Sequence, residues 1–209
     1  MSWVAFSPDA RQLASAGSDG TVRLWNVESG ASRVVIEHTG AARHVAFSPD
    51  GRWLVSSGED AVARLWDTRG GAAPRVLRGH EGWVLRAAFS SDGTRLATAG
   101  SDGDVRLWKP EAQDAAILGG EGLIFDVAFS PEGRSLVSGT FDGTALVWDL
   151  ATGDSRPLPG HRASVVSVAY SPTGGQIVSL DRTGTVRLWP DDLPRDPVAL
   201  RQWLEAVTE

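Results

Sequence analysis

The chain of 209 residues contains no cysteine. That excludes disulfides, thiolate zinc sites, iron–sulfur ligation and a cysteine nucleophile. Lysine is nearly absent: Lys109 stands alone among 20 basic residues, a bias that marks a GC-rich, bacterial genome rather than a function. Basic charge is also in deficit, with 20 Lys and Arg against 26 Asp and Glu and a formal net charge of −6. Nucleic acid and anionic membrane are therefore not expected partners, since both select a basic face. No apolar run approaches the roughly 18 residues of a membrane span. No charged region followed by an apolar core opens the chain as a secretory signal would, so a cytoplasmic location is expected. Apolar residues make up 42% and charged residues 22% of the sequence, which excludes wholesale disorder. A compact chain of this length buries about 70% of its unfolded surface and needs no covalent staples.

Tryptophan and glycine are abundant, at 9 and 24 residues. Trp25, Trp66, Trp108, Trp148 and Trp189 fall at intervals of 41, 42, 40 and 41. Thr21-Val-Arg-Leu-Trp25 recurs as Val62-Ala-Arg-Leu-Trp66, Asp104-Val-Arg-Leu-Trp108, Thr144-Ala-Leu-Val-Trp148 and Thr185-Val-Arg-Leu-Trp189. Nineteen residues before each tryptophan stands an aromatic: Phe6, Phe47, Phe89, Phe129 and Tyr170. A turn sequence follows each aromatic, most clearly Ser48-Pro-Asp-Gly51, with proline at the second position of a type I turn. A period near 40 residues, repeated five times, is an array of supersecondary units.

Each unit divides into short β-prone runs between turns, such as Trp83–Phe89, Arg95–Ala99 and Val105–Trp108. Ser-Asp-Gly at 18–20 and 101–103 supplies the second hairpin, where glycine provides positive φ. A fourth strand is expected at Arg33–Ile36, Arg75–Leu77, Ala115–Leu118 and Arg156–Leu158.

The order Gly-His, Ser-Pro-Asp-Gly, Ser-Asp-Gly-Thr-Val-Arg-Leu-Trp-Asp resembles the WD-repeat β-propeller family, over residues 3–189. The resemblance implies an all-β propeller of five four-stranded antiparallel blades, at about 1–37, 38–79, 80–119, 120–160 and 161–190, with the last blade incomplete. One small sheet cannot bury both faces, whereas sheets stacked radially can. Residues 191–209 are expected to form an acidic linker and a C-terminal amphipathic helix over about 197–207. Asp196 would be its N-cap, Pro197 its first residue, and Leu200, Trp203, Leu204 and Val207 its apolar face. The opposing expectation is that residues near Leu200 supply a fourth strand to the last blade.

The resemblance also implies a hydrogen-bonded tetrad of histidine, serine or threonine, aspartate and tryptophan in each blade. Blade 2 supplies His38, Ser56, Asp60 and Trp66; blade 3 supplies His80, Thr98, Asp102 and Trp108. Blade 5 keeps His161, Ser179 and Trp189, with Thr183 where the aspartate is expected. Blade 4 has Ser138, Asp142 and Trp148 but Gly120 in place of the histidine, and blade 1 has Ser15, Asp19 and Trp25. Ser, His and Asp in one network suggest a catalytic triad. Recurrence in several blades, and the tryptophan, favour a structural network instead. No histidines lie at ligand spacing and no Asp-Gly turn follows a calcium-loop pattern, so neither a metal nor a cofactor is expected. Arg23, Arg64, Arg106 and Arg187, two residues before the tryptophan, are expected to pack on the neighbouring sheet, the alternative being a basic ring for an acidic partner.

In the resembling family three positions per blade face the partner at the central channel. They map to Ala41, Arg43 and Glu59 in blade 2 and to Trp83, Leu85 and Ser101 in blade 3. Blade 4 gives Leu123, Phe125 and Phe141; blade 5 gives Ser164, Val166 and Arg182; blade 1 gives Ser2 and Ser18. Five bulky apolar residues thus fall on two adjacent blades, as expected of an interaction site, unless they pack into the channel. The resemblance implies a non-enzymatic scaffold for a protein or peptide. The alternatives are the C-terminal sensor module of a longer signalling protein and, less favoured, an enzyme with a propeller-borne site. With nineteen strands for five blades, either a second copy, as in a homodimer, or upstream blades are expected to complete the ring.

Overall fold

The computed structural model describes residues 2–70, 72–112, 115–120 and 122–191, and every regular element among them is a β-strand. The expected linker and helix over 191–209 lie, but for Asp191, outside these residues. The strands form five antiparallel sheets in chain order. Blade 1 holds β1 (Trp3–Phe6), β2 (Gln12–Ala16), β3 (Thr21–Asn26) and β4 (Ser32–Glu37). Blade 2 holds β5 (Ala42–Phe47), β6 (Trp53–Gly58), β7 (Ala63–Asp67) and β8 (Arg75–Leu77). Blade 3 holds β9 (Val84–Phe89), β10 (Leu96–Gly100), β11 (Val105–Trp108) and β12 (Ala115–Leu118). Blade 4 holds β13 (Ile124–Phe129), β14 (Ser135–Thr140), β15 (Ala145–Asp149) and β16 (Ser155–Leu158). Blade 5 holds three strands, β17 (Val165–Tyr170), β18 (Gln176–Asp181) and β19 (Val186–Pro190). The architecture is a β-propeller of WD-type blades, the last of them three-stranded.

Turn chemistry sets the hairpins. In the first turn of blade 2, Ser48 Oγ donates to Asp50 Oδ1 at 2.5 Å, and the amide of Trp53 donates to Ser48 Oγ at 2.9 Å. Gly51 N donates to Ser48 O at 2.9 Å, closing a four-residue turn. The same serine lock recurs at Ser7–Asp9 and Ser90–Asp92, each 2.6 Å. In the second hairpin of blade 1, Gly20 has φ of 84°, a region that side chains disfavour.

The inner strands pack in sequence, β1 on β5, β5 on β9, β9 on β13 and β13 on β17. The core lies between blades as four apolar layers built from the same repeat positions. Between blades 4 and 5, Val137, Ala145 and Val147 meet Val168, Tyr170 and Ile177. Between blades 1 and 2, Ala14, Val22 and Leu24 meet Val45, Phe47 and Leu54. A sheet with one blade on each side is apolar on both faces, which is why the second strands are buried along most of their length.

Candidate functional site

The inner strands carry a recurrent irregularity near their first residues. In blade 2, Ala42 pairs with Gly58 and His44 with Ser57, leaving Arg43 without a facing residue. Leu85, Phe125 and Val166 are passed over in the same way in blades 3, 4 and 5. Each is a β-bulge, in which two residues of one strand oppose one on its partner and the side chains are re-aimed.

Backbone hydrogen bonds tie the other mapped positions to these bulges. The amides of Glu59, Ser101, Phe141 and Arg182 donate to the carbonyls of Ala41, Trp83, Leu123 and Ser164, at 2.8 to 3.0 Å. All three mapped positions of each of these blades therefore meet at one end of the sheet.

Their side chains form two groups. Arg43 pairs with Glu59 and lies over the Trp83 ring, 5.4 Å from its centroid. Phe125 and Phe141 are in tilted contact with centroids 6.3 Å apart, and Arg182 caps Phe125 at 4.9 Å. Ser164 Oγ donates to Phe141 O at 2.7 Å, joining blade 5 to blade 4. Trp83 is 48% exposed and Phe141 59%, whereas Leu85, Leu123 and Phe125 are half-buried. The result is an apolar strip on blades 3 and 4, flanked by an arginine from blade 2 and another from blade 5.

A ring of side chains that nothing in the sequence reading singles out joins the inner strands. Trp3, His44, Arg86, Asp126 and Ser167 occupy the place three residues before the inner-strand aromatic in each blade. Arg86 Nε donates to Asp126 Oδ1 at 2.6 Å, and the Arg86 guanidinium lies 4.0 Å from the Trp3 ring centroid. Trp3 meets His44 at 4.8 Å. Asp126 Oδ2 accepts from Ser167 Oγ and from the amide of Val168, both at 3.0 Å. These contacts tie all five blades where the inner strands converge. His44 is 5% exposed and its Nδ1 meets no hydrogen-bond partner. Burial, with the Arg86 charge beside it, holds its pKa well below the ordinary histidine value. The one signal in the sequence is a repeat column whose residue differs in every blade.

The tetrads lie within the blades. In blade 3, Trp108 Nε1 donates to Thr98 Oγ1 at 2.9 Å, Thr98 Oγ1 is 2.8 Å from His80 Nε2, and His80 Nδ1 is 2.9 Å from Asp102 Oδ2. A neutral imidazole protonated on Nδ1 satisfies the whole relay: indole to hydroxyl, hydroxyl to Nε2, Nδ1–H to carboxylate. Burial lowers the His80 pKa despite Asp102, which favours that neutral form. In blade 2, His38 bridges Ser56 at 2.7 Å and Asp60 at 2.8 Å, and burial lowers its pKa too. Asp60 also takes Arg64 Nη1 at 2.7 Å. Trp66 lies under the Arg33 guanidinium of blade 1, at 5.2 Å.

Blade 5 departs from the expected pattern. His161 Nδ1 donates not to the Thr183 position but to Asp181 Oδ2, at 2.8 Å, while Thr183 Oγ1 donates to Asp181 Oδ1 at 2.6 Å. Asp181 ends β18 where blades 2 and 3 have Gly58 and Gly100. A Cβ at Gly58 would lie 2.4 Å from His38 Nδ1, so a side chain leaving that point is aimed at the histidine. In blades without the histidine the aspartate turns back on its own hairpin. Asp19 accepts from the amide and hydroxyl of Thr21 at 3.0 and 2.9 Å. Asp142 accepts from Thr140 Oγ1 and from the Thr144 amide.

Arg106 and Arg187 bring their guanidinium groups against Gly79 and Gly160, the residues directly before His80 and His161. Positive φ at those glycines, 141° and 131°, and the missing side chain open the space that the guanidinium fills.

No curated protein matches the chain. A family model, "WD domain, G-beta repeat", matches five times, over residues 2–26, 31–67, 71–109, 115–149 and 154–190. These segments cover most of the sequence and each contains one of the five spaced tryptophans, so the chain belongs to the WD40 repeat family.

Proposed function

We propose that the chain is a non-enzymatic scaffold that binds a protein or peptide on the channel face, with Trp83, Leu85, Leu123, Phe125 and Phe141 as the apolar contact surface. The carrying observation is the exposure of Trp83 and Phe141 on adjacent blades, held in place by bulges and backbone hydrogen bonds. Exposed aromatics on a rigid base lose little conformational entropy on binding and serve as interface anchors. Arg43, Glu59 and Arg182 frame the strip and supply polar rim contacts.

Non-enzymatic behaviour is typical of WD40 repeat proteins, and the buried tetrads support it here. Ser56, Thr98 and Ser179 are fully buried. Trp108 and Trp189 donate to the hydroxyls of Thr98 and Ser179. A hydroxyl sealed in this way cannot reach a substrate carbonyl, although its Asp-His-Ser geometry is that of a triad.

Selection of random displayed peptides on the folded chain tests the proposal. Peptides enriched on the wild type should lose binding to Trp83→Ala with Phe125→Ala, and to Phe141→Ala, while the melting curves stay close to wild type. Unchanged binding by folded variants would overturn it.

A further inference from the structure

The four internal blade interfaces each join two unlike faces. One blade contributes apolar residues of its second and third strands and one of its fourth, Ile36, Leu77, Leu118 or Leu158. The next contributes inner-strand residues up to the aromatic and the first apolar residue of its own second strand. Val22, Ala63, Val105 and Ala145 hold the same third-strand position, and all are at most 1% exposed. Val45, Ala87, Val127 and Val168 hold the same inner-strand position on the receiving faces and are also buried.

The third-strand and inner-strand positions of this interface each occur once more without a partner among the described residues. On blade 5, Val186 and Leu188 hold the third-strand positions and are 59% and 66% exposed. On blade 1, Val4 and Phe6 hold the inner-strand positions and are 44% and 63% exposed. Among the described residues β19 is moreover the edge of a three-stranded sheet, an arrangement natural proteins rarely leave uncovered. The two ends thus expose third-strand and inner-strand positions that meet each other four times within the chain.

We propose that these faces bind a second copy of this chain head to tail, the free face of blade 5 in one copy against the free face of blade 1 in the next. The partner is specified by chemistry already present. The blade 5 face fits an inner strand carrying an apolar residue two before an aromatic, and Val4 and Phe6 provide one. The contact is heterologous, with different residues on its two sides, unlike the self-matching patch of an isologous dimer.

That asymmetry gives the test. Phe6→Asp spoils the blade 1 face and leaves the blade 5 face intact; Leu188→Asp does the reverse. Sedimentation velocity across a concentration series should show self-association of the wild type and its loss in each variant alone. An equimolar mixture of the two variants should form a dimer, through the one interface that both mutations spare. Val4→Asp and Val186→Asp form a second pair, and tryptophan emission establishes that each variant is folded. A wild type that stays monomeric at high concentration overturns the proposal. So does an oligomer that survives either substitution, or a mixture of folded variants that stays monomeric.

Discussion

His161 Nδ1 lies 2.8 Å from Asp181 Oδ2, and that buried carboxylate also accepts the Thr183 hydroxyl on its other oxygen. These hydrogen bonds hold the Asp181 carboxyl below the usual carboxylate range. Asp181→Ala removes the acceptor for a buried imidazole N–H and should lower stability. Thr183→Ala should cost less, because it removes one donor from an exposed turn residue. Urea denaturation of the two variants checks the order; a larger loss for Thr183→Ala would contradict the assignment.

Asp102 and Asp142 hold corresponding turn positions but different partners. Asp102 accepts from His80 and from the amide of Glu81. Asp142 serves only its own hairpin, among the described contacts. Asp102→Ala should therefore cost about 1–3 kcal/mol, and Asp142→Ala clearly less. Thermal melts of the pair test this, and the reverse order would show that the histidine is not what the aspartate supports.

In blades 2 and 3 the space at the end of the second strand is filled by neighbouring atoms, so glycine there is a steric requirement. A Cβ at Gly100 would lie 2.7 Å from Trp83 O and 2.8 Å from Asp102 Oδ1. Gly100→Ala should destabilise by about 1–3 kcal/mol through overpacking. Gly119→Ala, where a Cβ meets nothing within 4 Å, should stay within about 0.5 kcal/mol of wild type.

Such relationships mark what the sequence made legible. Tryptophan spacing located the blades and the fourth strands, nineteen strands among the described residues, because turn chemistry and alternation repeat at a fixed interval. The strands start within a residue of expectation: the run from Trp83 begins as β9 at Val84, since Trp83 is occupied with the Ser101 amide. The Asp181 substitution was hidden because it sits at a strand end two residues from the repeat position, and only the Cβ direction there reveals its reach. The Trp3–His44–Arg86–Asp126–Ser167 ring was hidden for another reason. Its members share a position but no chemistry, and they pair across blades up to 83 residues apart in the chain.

Acid should weaken the fold before the carboxylates titrate. Burial lowers the pKa of His38 and His80, and lowers that of His44 most decisively. Below the ordinary histidine value of about 6.5 the unfolded chain binds protons that these folded residues refuse, so stability falls as pH drops. His44→Leu should flatten that fall between about pH 7 and 5, by at most about 1.4 kcal/mol per pH unit. Urea midpoints measured across this range read the slope independently of any constant loss of stability. An unchanged slope would contradict the neutral, buried state of His44.

The scaffold reading is tested most directly by hydrogen exchange on the chain bound to a peptide selected by display. Slowed exchange should centre on the amides around Trp83–Leu85, Leu123–Phe125 and Phe141, where bulges and cross-strand hydrogen bonds present the apolar strip. Protection confined to the outer strands β4, β8, β12 and β16, with the channel face unchanged, would contradict it.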